Sequence, residues 1–560
     1  MNECIDQVLA CLITETQNGV KRSLSLSSDD PEERVRILQE NHLLQISYHM
    51  LGQRIRRHIA NTNRRFNCRL PINRLPNELL VRIFAFTSTI DQYLKHLVRI
   101  GLVSKDWSTV VFETPSLWAQ ISSSYNYQTN EAAILKSKSH PLLVEYNEHD
   151  YWGMLGNGQG RGTSFMILAT REVYRWQAAS FRLAYTSTLD LFHNVVSLSA
   201  PRLEELRINC LELGKASSVE RGVDIFSGGA YRLRHIDISQ FPISWGSRLL
   251  SGLDTLKISA KNLSHHPSTS AIMDILRRCP NLLAFELQYR GEVDTYVSVS
   301  PSEAGKVDLP SLTSFTLDLD DAMAFRQIIA SVRIPACTMF VLGCRSTIGN
   351  VFRNEAQHLT AALLSTVGRI SSIELRLAAF DLALTGWHDT YEPVIDIYLN
   401  HSSPWEDLAW LINPTAAGSS SWPPIDAKIS CDDSLPFRKV VDLLRGMPSI
   451  RTLELVGNSD RYIAQLAHPT LDGIYEWVLP NLGELWLSEC PGNSLELFIE
   501  LQRKRQGGVD MDRGDELTLV LPRKLEMLYV RGPDMFSKAG PFYTAFWELY
   551  GEHWDRNVLK

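Results

Sequence analysis

The sequence predicts an α segment followed by an α/β segment: a small bundle of three helices, then a long series of strand–helix units. Three observations predict it. Between Leu75 and Trp118, apolar residues recur at helical spacing in three short runs. From about residue 140 onward, one pattern recurs nine times: apolar, two residues, apolar, one residue, apolar. The 560 residues exceed what one hydrophobic core organises, so the chain divides into domains or forms an array.

Residues 1–30 read as a flexible N-terminal segment, with a polar serine-rich stretch from Ser23 to Ser28. A helix is expected over 31–66. Asp30 can be its N-cap, Pro31 its first residue and Glu33 the third-position partner of a capping box. Val35, Leu38, His42, Ile46 and Leu51, with Ile37, Leu44 and Ile55, then keep a loose apolar face to about Ile59. The 3–4 spacing permits a coiled coil, and packing back on the rest of the chain is the equal alternative. No acidic residue falls between Asn41 and Asn77, while Arg54, Arg56, Arg57, Arg64, Arg65, Arg69 and Arg74 do. Such a run serves nuclear import or an acidic partner in some proteins and is a solvated helix face in more.

The next stretch starts with Leu75-Pro76-Asn77-Glu78-Leu79-Leu80-Val81-Arg82-Ile83-Phe84. Proline at the first helical position has a pre-set φ and needs no N–H partner, so a helix is expected to open at Pro76. Leu79, Ile83 and Phe86 lie at i, i+4 and i+7, a stripe on one face. Leu94, Leu97 and Val98 repeat the spacing. Leu102, Val103, Trp107, Val110 and Val111 do so again before Pro115-Ser116-Leu117-Trp118. Three short helices cannot bury all of this apolar surface among themselves, so part of it faces another surface.

These residues resemble the F-box family: LPxELLxxIF, then LVxKxW, then PxLW, over about 70–121. Ser104 departs from the family, which often carries Cys there; both are small. The general form, with a helix ahead of the LPxE block, is similar to the large fungal F-box-like families.

The nine copies of the second pattern include Leu203-xx-Leu206-x-Ile208, Leu233-xx-Ile236-x-Ile238, Leu253-xx-Leu256-x-Ile258, Leu282-xx-Phe285-x-Leu287 and Leu312-xx-Phe315-x-Leu317. They continue with Ile370-xx-Ile373-x-Leu375, Ile450-xx-Leu453-x-Leu455, Leu482-xx-Leu485-x-Leu487 and Leu525-xx-Leu528-x-Val530. The last two apolar positions alternate with polar ones, as a strand buried on one face requires. Several copies follow a Pro-polar turn, as at Pro280-Asn281 and Pro480-Asn481. Degenerate copies begin at Trp176, Cys337 and Trp405. The competing reading is an ordinary α/β domain with similar strands; the number of copies and their shared turns favour an array. The array is similar to leucine-rich repeats of irregular period, which implies a solenoid over 140–560 whose stacked strand–helix units share one core. Irregular insertions are expected near 150–165, where the run GNGQGRG lies, and over 378–440, where the spacing fails and Thr415–Pro424 reads TAAGSSSWPP.

Net charge is −7, which does not suggest a nucleic-acid or membrane-surface binder. No run of about 18 apolar residues marks a membrane span, and the N-terminus does not read as a signal peptide. Nine scattered cysteines with no CxxC pair fit reduced thiols in an intracellular chain, cytoplasmic or nuclear. The glycine run lacks the third glycine of GxGxxG and any following Lys-Ser/Thr, and reads as an insertion, not a phosphate loop. His265-His266 stands without a Cys/His cluster at metal spacing. No catalytic, cofactor-binding or metal-ligating residues are nominated, and no cofactor.

The resemblance implies a substrate-receptor subunit of an SCF-type cullin-RING ubiquitin ligase. The F-box would dock a Skp adaptor, and the repeats would bind an unknown target protein. The chain itself would do no chemistry. Adaptor-binding residues carried over by motif are Leu75, Pro76, Leu79, Leu80, Ile83, Phe84, Leu102, Val103 and Trp107, some of which must instead hold the bundle together. The alternative is a non-catalytic scaffold or transcription-associated protein that uses the F-box only as an anchor.

Overall fold

The computed structural model describes residues 31–86, 93–148, 158–183, 198–210, 222–261, 268–290, 306–348, 369–377, 381–388, 393–401, 426–431, 447–457, 478–488 and 527–531, with a few single helical positions elsewhere. Asp30, the Trp405 copy, His265-His266 and the Thr415–Pro424 run lie outside the described residues, as does nearly all of 1–30. The chain divides into two compact units, residues 1–119 with 136–138, and the remainder.

In the first unit, helix α1 (Pro31–Asn67) begins at Pro31 and runs past Ile59. Glu32 and Glu33 sit in its first turn and Arg64 and Arg65 in its last, each sign matched to the helix dipole. None of its residues is buried. On its apolar face, Ile37, Ile55 and Ile59 are half-buried, and Val35, Leu38, Leu44, Ile46 and Leu51 are exposed.

After a 3₁₀ turn at Pro71–Arg74 come α2 (Asn77–Phe86), α3 (Tyr93–Gly101) and α4 (Lys105–Glu113). The Pro76 carbonyl accepts the Leu80 N–H at 3.1 Å, so Pro76 stands at the N-cap, one place earlier than expected. Ser104 is the N-cap of α4: its hydroxyl accepts the Trp107 N–H at 3.1 Å. The residue that departs from the family pattern thus satisfies an N–H that the helix leaves open. Leu80, Phe84, Leu94, Leu97, Val111 and Leu117 form the core, and Trp118 closes it by donating its indole N–H to the Val111 carbonyl at 2.7 Å.

The second unit carries a parallel-rich sheet. Its strands and intervening helices run β1 (Gln120–Ser122), α5 (Tyr127–Ser137), β2 (Leu142–Asn147), α6 (Gly158–Thr170), β3 (Trp176–Leu183), β4 (Glu205–Cys210), β5 (His235–Ser239) and β6 (Thr255–Lys261). They continue as α7 (Thr269–Arg278), β7 (Ala284–Arg290), β8 (Val307–Asp308), β9 (Ser314–Leu319), α8 (Ala322–Ser331), β10 (Val332–Arg333) and β11 (Met339–Ile348). The last described strands are β12 (Ser372–Leu377), β13 (Asp381–Trp387), β14 (Pro393–His401), β15 (Asp426–Cys431), β16 (Thr452–Gly457), β17 (Glu484–Ser488) and β18 (Met527–Arg531). β8 and β10 form a small separate pair; the others make one sheet among the described residues.

The recurring sequence pattern becomes two ladders of buried side chains across this sheet. The first passes through Ile121, Val144, Ala179, Leu206, Ile236, Leu256, Phe285, Phe315 and Phe340, each in register with the next. The second, two residues on, includes Tyr146, Phe181, Ile208, Ile238, Ile258, Leu287, Leu317 and Leu342. All of these are buried, and so are the leading residues Leu203, Leu233, Leu253, Leu282 and Leu312. The degenerate copies at Trp176 and Cys337 fall in the same frame.

Two stretches expected as irregular insertions are described in part. The glycine run expected as an insertion instead enters α6 at Gly158. Phe165, Met166, Leu168 and Ala169 of this helix are buried, and that burial outweighs the poor helix propensity of glycine. Gly162 is needed there: a Cβ would meet the Tyr146 hydroxyl at 2.8 Å.

Within 378–440, the order of strands reverses. β11 pairs with β14, not with β12; β13 is antiparallel to both β14 and β12; and β12 then pairs in parallel with β15. The two ladders continue across the reversal through Ile395, Gly386, Ile373 and Ala427, and through Ile397, Leu384, Leu375 and Ile429. Gly386 is the one ladder position with no side chain. A Cβ there would come within 2.6 Å of Ile370 Cδ1, and Ile370 is itself 1% exposed. The glycine leaves space for the leading isoleucine of the next strand.

Candidate functional site

Two surfaces gather the candidate residues. The first is on the helical bundle. Of the residues nominated from the motif, Leu80 and Phe84 are buried, so they hold the bundle together. Trp107 is half-buried: its ring lies 4.9 Å from that of Phe84, and its indole N–H is donated to Asn73 Oδ1 at 2.6 Å. The Asn73 amide donates to the Asn67 carbonyl at 2.7 Å, which fixes the acceptor in place. Leu75 and Ile83 are half-buried and Pro76 is exposed. Leu79, Leu102 and Val103 are exposed apolar residues.

Phe86, absent from the nominated set, is 89% exposed, and it completes the α2 stripe of Leu79 and Ile83. Its signal was the i+7 spacing. Leu102 and Val103 are not helical, as their run predicted, but form the turn between α3 and α4. Ser104 starts α4 only after them. Large apolar side chains left exposed on a small bundle are candidates for an interaction surface.

The second surface is the solvent face of the sheet. Across β4 to β7, Arg207, Asp237, Lys257 and Glu286 stand in register, alternating in sign, with Lys257 Nζ 3.4 Å from Glu286 Oε2. This row neutralises itself. Further along, Glu374, Lys428, Glu454 and Trp486 stand in register across β12, β15, β16 and β17. They form part of an open cleft of about 260 Å³, which Trp387, Asp426 and Thr452 also line. Trp387 follows Gly386 at a register irregularity between β13 and β14, and irregularities of that kind re-aim a side chain. Lys428 Nζ approaches Glu454 Oε2 at 3.9 Å, and Glu374 accepts a hydrogen bond from Arg376 at 2.9 Å.

Among the described residues, no group of three or more His, Cys, Asp or Glu could hold a metal, and no helix is long and apolar enough to cross a membrane. Burial pushes the Cys337 and Cys344 thiols up to about 12 and raises that of Cys279. These thiols remain neutral at physiological pH and are poor nucleophiles.

Comparison with known proteins identifies a domain over the helical bundle. Residues 72–124 match the F-box-like family model, and an F-box-like domain is present there. No curated protein matches the chain. Among solved structures, the crystal structure of a TLR13–ssRNA13 complex is similar at 15% identity and a TM-score of 0.25, covering 58% of this chain and 44% of that one. The chain spans less than half of that neighbour's length, and a likeness of this size carries no argument. The described molecule is thus a helical N-terminal region with an F-box-like domain, followed by a strand-rich, mostly parallel sheet. The F-box-like domain supports a role in F-box-mediated protein interaction.

Proposed function

We propose that the chain is a substrate-receptor subunit of an SCF-type cullin-RING ubiquitin ligase. F-box domains generally bind Skp adaptors. The adaptor-facing surface is drawn from Leu79, Ile83, Phe86, Leu102 and Val103, with Leu75 and Pro76 at its edge. Leu80, Phe84 and Trp107 act behind it as its support. The sheet unit, read as an irregular leucine-rich-repeat solenoid, presents its solvent face to a target protein.

The receptor works by proximity: it holds a target near the ligase's catalytic arm and raises its effective concentration there. The observation that carries this reading is the F-box-like domain at 72–124, with its exposed stripe of large apolar residues. The test is co-purification of the full chain with a Skp adaptor, for wild type and for Leu79→Ala/Ile83→Ala. A stoichiometric wild-type complex that the double variant loses, while remaining folded by circular dichroism, supports the assignment. Equal adaptor binding by both proteins, or by neither, overturns it.

A further inference from the structure

The reversal of strand order has a chemical result at the sheet's solvent face. An antiparallel strand brings Trp387 beside Ser372, at the edge of the cleft over β12, β15 and β16. Trp486 stands on the other side, 36% exposed. From β13 to β17 there are four strand-to-strand steps, about 19 Å, the reach of roughly six residues of extended chain. Between the two indoles, the cleft is lined by three carboxylates, Glu374, Asp426 and Glu454, and one ammonium, Lys428.

The alternating row across β4 to β7 balances its charges; this cleft has two carboxylates in excess. Arg376, outside the lining, offsets part of the charge of Glu374. Lys428 stands between the carboxylates, with its side chain 42% exposed, and lies only loosely against Glu454. A surface pair of this length contributes little and exchanges readily for a better one.

We infer that this cleft binds a short extended segment of a partner protein through a lysine or arginine side chain. The cation takes a place among Glu374, Asp426 and Glu454, and its aliphatic stem and charge lie against Trp486. An indole face attracts a cation more strongly than other aromatic rings do, and a carboxylate pair beside it selects a basic over a neutral side chain. Lys428 acts as a built-in competitor: it fills part of the negative field when the cleft is empty. The inference rests on the reading of the sheet face as the target-binding surface, and it names the class of target it takes.

The test uses the purified full chain and three pools of fluorescein-labelled hexapeptides, basic, acidic and neutral, read by fluorescence anisotropy at low and physiological salt. The basic pool should bind best, and more weakly as salt rises. Trp486→Ala and Glu374→Gln/Glu454→Gln should each weaken it by about tenfold. Lys428→Gln should tighten it several-fold, a gain that misfolding does not produce. Preference for the acidic or neutral pool, no binding of any pool, or weaker binding by Lys428→Gln overturns the inference. Skp retention by the same preparation separates the two claims. Retained Skp without basic-peptide binding removes the cleft alone; basic-peptide binding without Skp removes the ligase reading and leaves the cleft.

Discussion

Phe84 and Phe86 lie two residues apart on α2 and should fail in opposite ways. Phe84 is 2% exposed inside the bundle, so Phe84→Ala removes core volume and should cost about 3–5 kcal/mol of stability. Phe86 is 89% exposed, so Phe86→Ala should leave stability unchanged within about 0.5 kcal/mol. Its effect should appear on adaptor binding. A phenylalanine covers roughly 150–250 Å² when buried, so full coverage by a partner is worth about 4–6 kcal/mol at ~25 cal/mol per Å². Coverage of half the smaller area gives about 2 kcal/mol, a loss of about 30-fold in Kd. Isothermal titration of each variant with a Skp adaptor, beside chemical denaturation of the same samples, reads both quantities. A folded Phe86→Ala protein that binds within twofold of wild type would refute the reasoning, because the most exposed apolar side chain of the stripe would then carry no contact.

Three further outcomes follow from the same geometry. Ser104→Ala removes the acceptor for the Trp107 N–H and should cost about 1 kcal/mol in denaturation, with Ser104→Asp restoring most of it. Gly386→Ala drives a methyl against Ile370 and should destabilise by about 1–3 kcal/mol; the pair Gly386→Ala/Ile370→Val should recover part of that, and no recovery would refute the packing account. Cys337 and Cys344 keep their protons up to about pH 12 in the folded chain, while the unfolded chain gives them up above an ordinary value of 9.0. Their contribution is therefore complete below pH 9 and is lost as pH rises toward 12, by up to about 1.4 kcal/mol per thiol per pH unit. Cys337→Ala/Cys344→Ala should flatten the alkaline fall in denaturation midpoint, and an unchanged slope would show that other groups cause it.

The repeated triplet of apolar positions made the strands legible, because its last two members become the ladders and its first is buried beside them. It could not reveal the first two strands. β2 places Val144 and Tyr146 in the ladders, but the leading place three residues before Val144 is Pro141. β1 has only Ile121, and the place three residues before it is Trp118, which reads as the end of the F-box block. The pattern also says nothing about order. Ile370-xx-Ile373-x-Leu375 reads like any other copy, yet its strand is separated from β11 by two strands that come later in the chain. In the bundle, the motif identified the helices but not their faces. Leu79 and Leu80 are equivalent on paper, and only packing decides that one is exposed and the other buried.

That displaced strand also bears on how the chain reaches its native state. Up to β11, each new strand of the large sheet has a finished neighbour waiting, so the structure can grow by local steps as the chain emerges. At β12 the sequence is broken: its native partners, β13 and β15, have yet to be made, and β11 must wait for β14. The three strands β12, β13 and β14 can pair with one another by local antiparallel steps, and they join the earlier strands only through the β11–β14 pairing, which spans the whole of that excursion. Until that seam closes, β11 offers an unpaired edge, the kind of surface on which partly folded chains associate.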